Sequence, residues 1–501
     1  MITSIITKRK ANPLFSTLLK FGKGILIVLL IFVFHTGCNT PQVVQTKSAE
    51  TNAETSTRPP NFVVIFADDL GYGDLSCFGN PIINTPHLDQ MAAEGQKWTQ
   101  FYVAAPVCTP SRAGLLTGRY PIRNGMTSEK KGVLFPDSAG GLPQSEVTIA
   151  EMLKQKNYAT AAVGKWHLGH LPQHLPTTQG FDSYYGIPYS NDMDFKEDTP
   201  HYHTHVDDPN YLADFKLYNV PLIENEKEIE RPTDQNTITR RCTEKAVEFI
   251  KTKKDEPFFL YLAHSLPHIP LFAHPEFIGH SKQGLYGDVI EEIDWSVGQI
   301  VQTLKDLNLA DNTIVLFTSD NGPWLAFKTH GGSSGPLRAG KGTTFEGGQR
   351  VPTIFWGPGI IQPGLISEMG STLDLINTFA ALSGTAVPTD RQMDGYDLSP
   401  ILKNKNAKSP REEFYYWKRA KLVAVRSGKW KMHTEQQDPV VYWNKVELDK
   451  PELYNIEADI SEKHDLAENR PDLIEKLTAL MDQHRASTKD ALPTNLEALI
   501  E

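Results

Sequence analysis

Cysteine is scarce in this chain, with four residues in 501, at positions 38, 77, 108 and 242. So few thiols exclude a small disulfide-framed scaffold; Cys77 and Cys242 could at most form one bridge. A basic excess is also missing, because 50 Lys and Arg face 60 Asp and Glu for a net charge of −10. Nucleic-acid binders concentrate cations in a patch or stripe, none is visible here, and nucleic acid is excluded as a partner. An anionic small ligand would have to be held by a local cluster of cations, against the field of the whole molecule. Long apolar runs are lacking too: Ile25 to Phe34 is ten residues, against the ~20 that a membrane-spanning helix needs. What is plentiful is apolar content, 40% of the chain, enough for one large α/β domain with an appendage or for two ordinary domains. No internal repeat is evident.

The short apolar run has its own meaning. It follows Lys8, Arg9, Lys10, Lys20 and Lys23 in a stretch without a single acid, and it is followed by His35-Thr36-Gly37-Cys38. That order reads as a signal peptide over residues 1–37, ending in a segment similar to a bacterial lipobox, with Cys38 as the lipidated first residue of the mature chain. His35 departs from the usual aliphatic residue of such a box. Removing the leader takes the net charge to about −15. Residues 38–58 are polar and rich in Thr, Ser, Gln and Ala, as suits a flexible tether. The expectation is an exported protein, lipid-anchored in a bacterial outer membrane and facing the periplasm or the cell surface, with the membrane contacted through that anchor alone.

Beyond residue 60, apolar runs repeatedly stop at polar groups of the kind that do chemistry. Phe62–Phe66 ends at Asp68-Asp69, Tyr158–Val163 at Lys165 and His167, Pro257–Ala263 at His264 and His268, and Thr313–Phe317 at Asp320-Asn321. Short continuous apolar runs are buried parallel strands, and ligands of such sheets sit beyond the carboxyl ends of the strands. Lys165 and His167, two apart, would face one side of an extended exit segment. Between the runs lie helices: Thr85-Pro86 opens one that Gly95 closes, Thr148 and Glu151 form a capping box, and Tyr286–Leu307 carries Val289, Ile293, Val297, Ile300 and Leu304 on one face. After about residue 405 the alternation fades; Leu422–Arg426 and Lys429–His433 read as a hairpin and Pro471–Gln483 as a helix. Taken singly, the polar groups have bland readings. Asp68-Asp69 fits a solvated turn, and Cys108 fits either a buried small residue before a helix or a low-pKa thiolate at its N-terminus. The alternate histidines His201, His203 and His205 read as a solvated loop bordering the site rather than a zinc site. Gly335 to Gly342 nearly spells a phosphate-binding loop, but Gly342 stands where Ser or Thr must hold magnesium.

The stretch Cys108-Thr109-Pro110-Ser111-Arg112, continued by Ala113-Gly114-Leu115-Leu116-Thr117-Gly118-Arg119, changes these readings. It resembles the signature of the type I sulfatases, in the branch of arylsulfatase A and N-acetylgalactosamine-6-sulfatase, and the resemblance runs from about Asn61 into the C-terminal region. The fold it implies is the α/β, alkaline-phosphatase-like one: a large mixed, mainly parallel sheet flanked by helices over residues 59–405. A smaller subdomain with a short antiparallel sheet and a helix would fill 406–501. In that family the cysteine is oxidised to formylglycine by a formylglycine-generating or anaerobic sulfatase-maturating enzyme. The hydrated aldehyde attacks sulfur with one hydroxyl and releases sulfate with the other. Carried over residue by residue, the resemblance implies calcium held by Asp68, Asp69, Asp320, Asn321 and the modified Cys108, an oxygen set that suits a hard cation. It places Arg112, Lys165 and His167 around the nucleophile, Asp320 as acceptor of its proton, and Ser190, Lys165, His268 and Lys341 on the sulfate and the departing alcohol.

The implied activity is hydrolysis of sulfate esters, with a sulfated oligo- or polysaccharide as substrate. Two other readings follow from the same residues: a phosphodiesterase or phosphonate ester hydrolase of the same superfamily, and a non-catalytic glycan-binding lipoprotein on the same scaffold. Every expected catalytic position is filled, which disfavours the last.

Overall fold

The computed structural model describes residues 58–196, 202–441, 444–489 and 491–500. The leader, Cys38, nearly all of the expected tether and His201 lie outside the described residues. The described residues form ten strands in one sheet: β1 (Asn61–Ala67), β2 (Gln96–Tyr102), β3 (Ala159–Gly164), β4 (Ser183–Gly186), β5 (Leu222–Glu224), β6 (Lys227–Glu230), β7 (Phe258–Ala263), β8 (Thr313–Ser319), β9 (Thr353–Trp356) and β10 (Gly364–Ser371). Their order is β10-β2-β9-β8-β1-β7-β3-β4-β5-β6.

At its centre β8, β1, β7 and β3 run parallel. Each is apolar throughout because both faces of the sheet are covered. Val63 and Ile65 share one core with Val289, Ile293, Val297, Ile300 and Leu304 of the helix Leu285–Asp306. Phe62, Val64 and Phe66 share the other with Leu115, Leu116, Met152 and Phe379. The register then aligns the strand ends: Ala67 pairs with Ser319, Phe66 with Ala263, and Ala263 with Gly164. The four runs therefore finish in one row, and the polar residues after them emerge together.

Three strands of the sheet carry no strong strand pattern. β2 reads Gln-Lys-Trp-Thr-Gln-Phe-Tyr without clean alternation, and β9 and β10 come after a long irregular stretch; the antiparallel pairs β8–β9 and β2–β9, with β4–β5 and β5–β6 at the other edge, make the sheet mixed. The helix after Thr85 begins at Pro86 as expected, but Thr85 does not cap it. Its hydroxyl instead bonds Ser76 and Asp89. The first-turn N–H groups of His87 and Leu88 are accepted by the Asp294 carboxylate, at 3.2 and 2.8 Å, from the neighbouring helix. A buried carboxylate answers two orphan donors where a threonine answers one. The Thr148–Glu151 capping box forms as expected. Cys77 and Cys242 are separate free thiols, so they make no bridge.

The C-terminal sheet is β11 (Glu413–Lys418), β12 (Lys421–Ser427), β13 (Trp430–Gln437) and β14 (Lys445–Asn455), antiparallel in that order. Gly428, at φ 54°, makes the β12–β13 turn. The expected helix covers Pro471–Ala486. The apolar face of this unit packs on Tyr102 and Tyr120 of the larger one through Phe414, Tyr416, Met432, Leu477 and Met481. A fully buried ion cluster adds to the joint: Lys431 Nζ lies 2.9 Å from Glu346 and 3.0 Å from Glu462.

Candidate functional site

The site is assembled from the aligned strand ends and one helix start. Val107 is extended, and the helix Cys108–Thr117 begins directly after it. That brings the Cys108 thiol, 2% exposed, to donate to Asp68 Oδ1 at 3.3 Å. Arg112, one turn along and fully buried, reaches inward: Nε and Nη2 donate to Asp320 Oδ2 at 3.0 and 2.8 Å, Nη1 donates to the Lys165 carbonyl at 2.9 Å, and Asp68 lies 3.6 Å away. Lys165 Nζ bonds both Asp68 Oδ2 and Ser190 Oγ, the latter at 2.8 Å. Lys341 Nζ bonds Asp69 Oδ2 at 2.7 Å and lies 3.7 Å from Cys108 Sγ. The segment before Lys341 is irregular and follows no strand, which disposes of the phosphate-loop reading.

Two site residues hold left-handed backbone, Asp69 at φ 64° and His167 at φ 59°. Such strain in non-glycine residues persists where surroundings over-determine it, typically at functional sites. It also replaces the simple extended exit expected for Lys165 and His167: the chain turns sharply, so alternation along a strand does not set their directions. His167 Nε2 donates to the Leu134 carbonyl at 2.9 Å, leaving Nδ1 buried and without a partner. Burial, aided by Lys165, holds this imidazole well below its usual range and hence neutral. His268 is the mirror case. Nδ1 donates to the Ile269 carbonyl at 2.6 Å, and Nε2 sits 3.3 Å from Ser190 Oγ and 3.6 Å from Asp69.

The electrostatics correct one early alternative. Burial, then Asp320 and Asp68, push the Cys108 thiol far above its usual range, so no low-pKa thiolate forms here. Among the carboxylates, burial raises Asp69 and also Asp320, the latter to about 7 with Asp68 adding to it. Asp68 alone is held low, because Lys165 and Arg112 overcome its burial. The site thus has more carboxylate than its own cations stabilise. Ligand atoms of Asp68, Asp69, Cys108 and His268 lie within 4.8 Å of one another. Asn321 Nδ2 donates to Asp69 at 2.7 Å, while its Oδ1 is buried without a partner. Surplus carboxylate and an orphaned amide oxygen fit a hard divalent cation. Asp320 is turned instead to Arg112, and its Oδ1 accepts the Asp69 N–H at 3.1 Å.

Asp68, Asp69, Cys108, Arg112, Lys165, His167, Ser190, His268, Asp320, Asn321 and Lys341 are therefore all buried, and all but His167 are joined to one another by hydrogen bonds or ion pairs; His167 is held by the Leu134 carbonyl. Two others went unread. Trp324 lays its ring 4.3 Å from Lys341 Nζ and 5.5 Å from the His268 ring; its only signal was its place three residues after Asn321. Thr109 accepts the Leu134 N–H at 3.2 Å and so helps hold the partner of His167. His205 stacks on Tyr211 at 3.9 Å.

The family model described as sulfatase matches residues 60–385, and that of the C-terminal region of aryl-sulfatase matches 409–497. This chain belongs to the sulfatase family. Human arylsulfatase A is 42% identical over 436 residues, 82% of this chain and 83% of that protein. Mouse N-acetylgalactosamine-6-sulfatase is 42% identical over 389 residues, 75% and 72% of the two chains. The crystal structure of Ps i-CgsB in complex with k-i-k-neocarrahexaose superposes with a TM-score of 0.74 at 34% identity, over 87% of this chain and 95% of that one. The sulfatase described here is an enzyme of sulfate ester hydrolysis, and its sheet and C-terminal unit have the architecture of those relatives.

Proposed function

We propose that this sulfatase is a calcium- and formylglycine-dependent hydrolase of sulfated carbohydrates, exported and anchored through Cys38 in a bacterial outer membrane. Its leader would be residues 1–37, its catalytic domain 59–405 and its C-terminal subdomain 406–501. The observation that supports this most is the convergence of Asp68, Asp69, Asn321 and Cys108, with three fixed cations, at one row of strand ends. Carbohydrate as the substrate class is suggested by the names of the relatives, one an N-acetylgalactosamine-6-sulfatase and one solved with a neocarrahexaose.

Asp68, Asp69, Asp320, the Asn321 amide oxygen and one oxygen of the modified Cys108 would hold the calcium, which would neutralise sulfate charge. Formylglycine at position 108, made by a maturation enzyme, supplies as its hydrate a nucleophilic oxygen and a second hydroxyl for sulfate release. Arg112, Lys165 and Lys341 are cations in a water-poor site, where preorganised charge stabilises a transferring anionic group strongly. Ser190, held by Lys165, orients a sulfate oxygen. Asp320, held by the Arg112 guanidinium, would accept the proton of the attacking hydroxyl. His268, its Nδ1–H held by the Ile269 carbonyl, presents Nε2 as an acceptor beside Ser190, and the departing alcohol would take its proton from the Lys341 ammonium. His167, neutral with Nδ1 unpartnered, takes a proton there in the second half of the reaction.

The test combines peptide mass spectrometry of residue 108 in protein from its own host with sulfate release from defined galactose, N-acetylhexosamine and rhamnose sulfates. Formylglycine and efficient release from at least one sugar are expected. Unmodified cysteine in active enzyme, or turnover confined to aryl sulfates or phosphate diesters, would overturn the reading.

A further inference from the structure

Beside the reacting centre lies a cleft of 350 Å³. One wall is the segment 129–135, with Lys130, Lys131 and Phe135; the other is the C-terminal sheet, with Lys418, Arg419, Lys421 and Lys445. Its floor is Pro106, Val107 and Gly342. These six cations face two carboxylates, Glu129 and Glu435, in a chain whose net charge is −10.

The balance within the lining is partial: Lys130 lies 3.3 Å from Glu497 and Lys131 3.6 Å from Asp137, two carboxylates outside it. Glu435, 1% exposed, receives Lys421 at 3.2 Å, Lys445 at 3.7 Å and Lys418 at 3.8 Å, so one carboxylate answers three ammonium groups. Lys421 shares a second carboxylate, Glu447, at 2.7 Å. Arg419 directs Nη1 to a backbone carbonyl, that of Glu129, at 2.9 Å, which spans the two walls without cancelling charge. Burial lowers the Lys418 ammonium to about 8; Glu435 opposes this, and Lys445 and Arg419 add to it. A second anion would relieve that crowding.

The same elements that build the cleft deliver the catalytic groups. Val107 precedes Cys108, Gly342 follows Lys341, and the Gly342 N–H donates to the Pro106 carbonyl at 2.8 Å, closing the floor. Leu134, inside the 129–135 wall, accepts from His167 and donates to Thr109. Neighbouring Cα atoms are about 3.8 Å apart, so the cleft starts one residue from the reacting centre on two sides. Phe135, 41% exposed, offers a flat face of the kind on which a sugar ring packs.

We propose that this cleft is a subsite for a second anionic group of the substrate, a sulfate or carboxylate on the sugar next to the one being desulfated. The inference rests on the sulfatase reading of the adjoining centre. It makes the enzyme selective for polyanionic oligosaccharides, with the C-terminal subdomain supplying most of the selectivity.

The test uses the full mature enzyme turning over 4-nitrophenyl sulfate. Three oligosaccharides of one backbone compete: one with a single sulfate, one with two sulfates, and one with a sulfate and a carboxylate. Doubly anionic competitors are expected to inhibit at about tenfold lower concentration than the singly charged one, a ratio that shrinks as salt is raised. The double variant Lys421→Gln/Lys445→Gln should narrow the ratio to about twofold or less, and Lys421→Arg/Lys445→Arg, which keeps the charge, should retain it. If only one doubly anionic ligand gains, the cleft takes that anion. A wild-type ratio near one, or a ratio unchanged in the Gln variant, overturns the subsite. Failure of the wild type to release sulfate from 4-nitrophenyl sulfate and from every one of the three oligosaccharides would instead count against the sulfatase reading.

Discussion

Replacing Lys431 by methionine removes one positive charge from the joint between the two sheets and changes little volume. Lys431 Nζ lies 2.9 Å from Glu346 Oε1 and 3.0 Å from Glu462 Oε1, with all three side chains at 0% exposure. Burial alone would raise the Glu346 carboxyl; Lys431, then Arg350 and Arg426, hold it well below the usual range. Glu462 is held low in the same way, with Lys431 the largest opposing influence to burial. Truncating one partner of such a pair costs about 3–5 kcal/mol, because the carboxylates are left buried without their cation. Glu346 follows the Lys341 segment closely, and its backbone N–H donates to Glu462 Oε2 at 2.7 Å, so the loss would also loosen the position of Lys341. With a urea slope of about 3 kcal/mol per molar or more, the denaturation midpoint should fall by about 1 M. The drop should shrink in the double variant Lys431→Met/Glu462→Gln, which removes one stranded charge. A Lys431→Met midpoint within the error of wild type, or a double variant less stable than either single one, would refute the argument that this cluster is an energetically coupled joint.

Chelation with EGTA should abolish sulfate release and calcium should restore it, with a calcium-dependent rise in thermal midpoint that Asp69→Asn removes; two zinc ions by elemental analysis would favour phosphoester chemistry instead. His167→Ala should preserve a burst of 4-nitrophenol at first turnover while slowing sulfate release by about 10²-fold or more; loss of the burst itself would show that the assignment of this residue is wrong. Glu292 is buried, accepts the His274 N–H at 2.9 Å through Oε2 with Oε1 unpartnered among the described residues, and is pushed up to about 7 by burial. Being raised above its unfolded value, it favours the folded state below about pH 4.3 relative to higher pH, and wild-type stability is lost as pH rises from there to about 7. Glu292→Gln should therefore gain on wild type progressively over that window, by up to about 3 kcal/mol at pH 8; a pH-independent difference in urea midpoints would count against it.

Much of the site was legible because its chemistry is written in short stretches next to strong strand patterns. Phe62–Ala67 is apolar at every position since both faces are covered, so its end, and Asp68-Asp69 after it, could be placed from the chain alone. The same holds for Lys165, His268 and Asp320-Asn321, and the wording around Cys108 named the family before any geometry. The fold class and the C-terminal hairpin and helix followed from periodicity and turn residues. What tertiary structure decided is of another kind. The one-row alignment of Ala67, Ser319, Ala263 and Gly164 depends on strand order, which local pattern does not encode. The state of the Cys108 thiol turned on burial beside two carboxylates far away in the chain, which reversed the effect of a helix start and a nearby arginine. The cap on the Pro86 helix came from Asp294, 207 residues from His87, rather than from adjacent Thr85. The cationic cleft joins Lys130-Lys131 to Lys418-Arg419-Ala420-Lys421 and Lys445, basic stretches far apart in the chain that only the fold brings together. In each case the deciding quantity is the field or the free hydrogen-bonding capacity at one point in space, and only the folded chain determines which distant groups meet there.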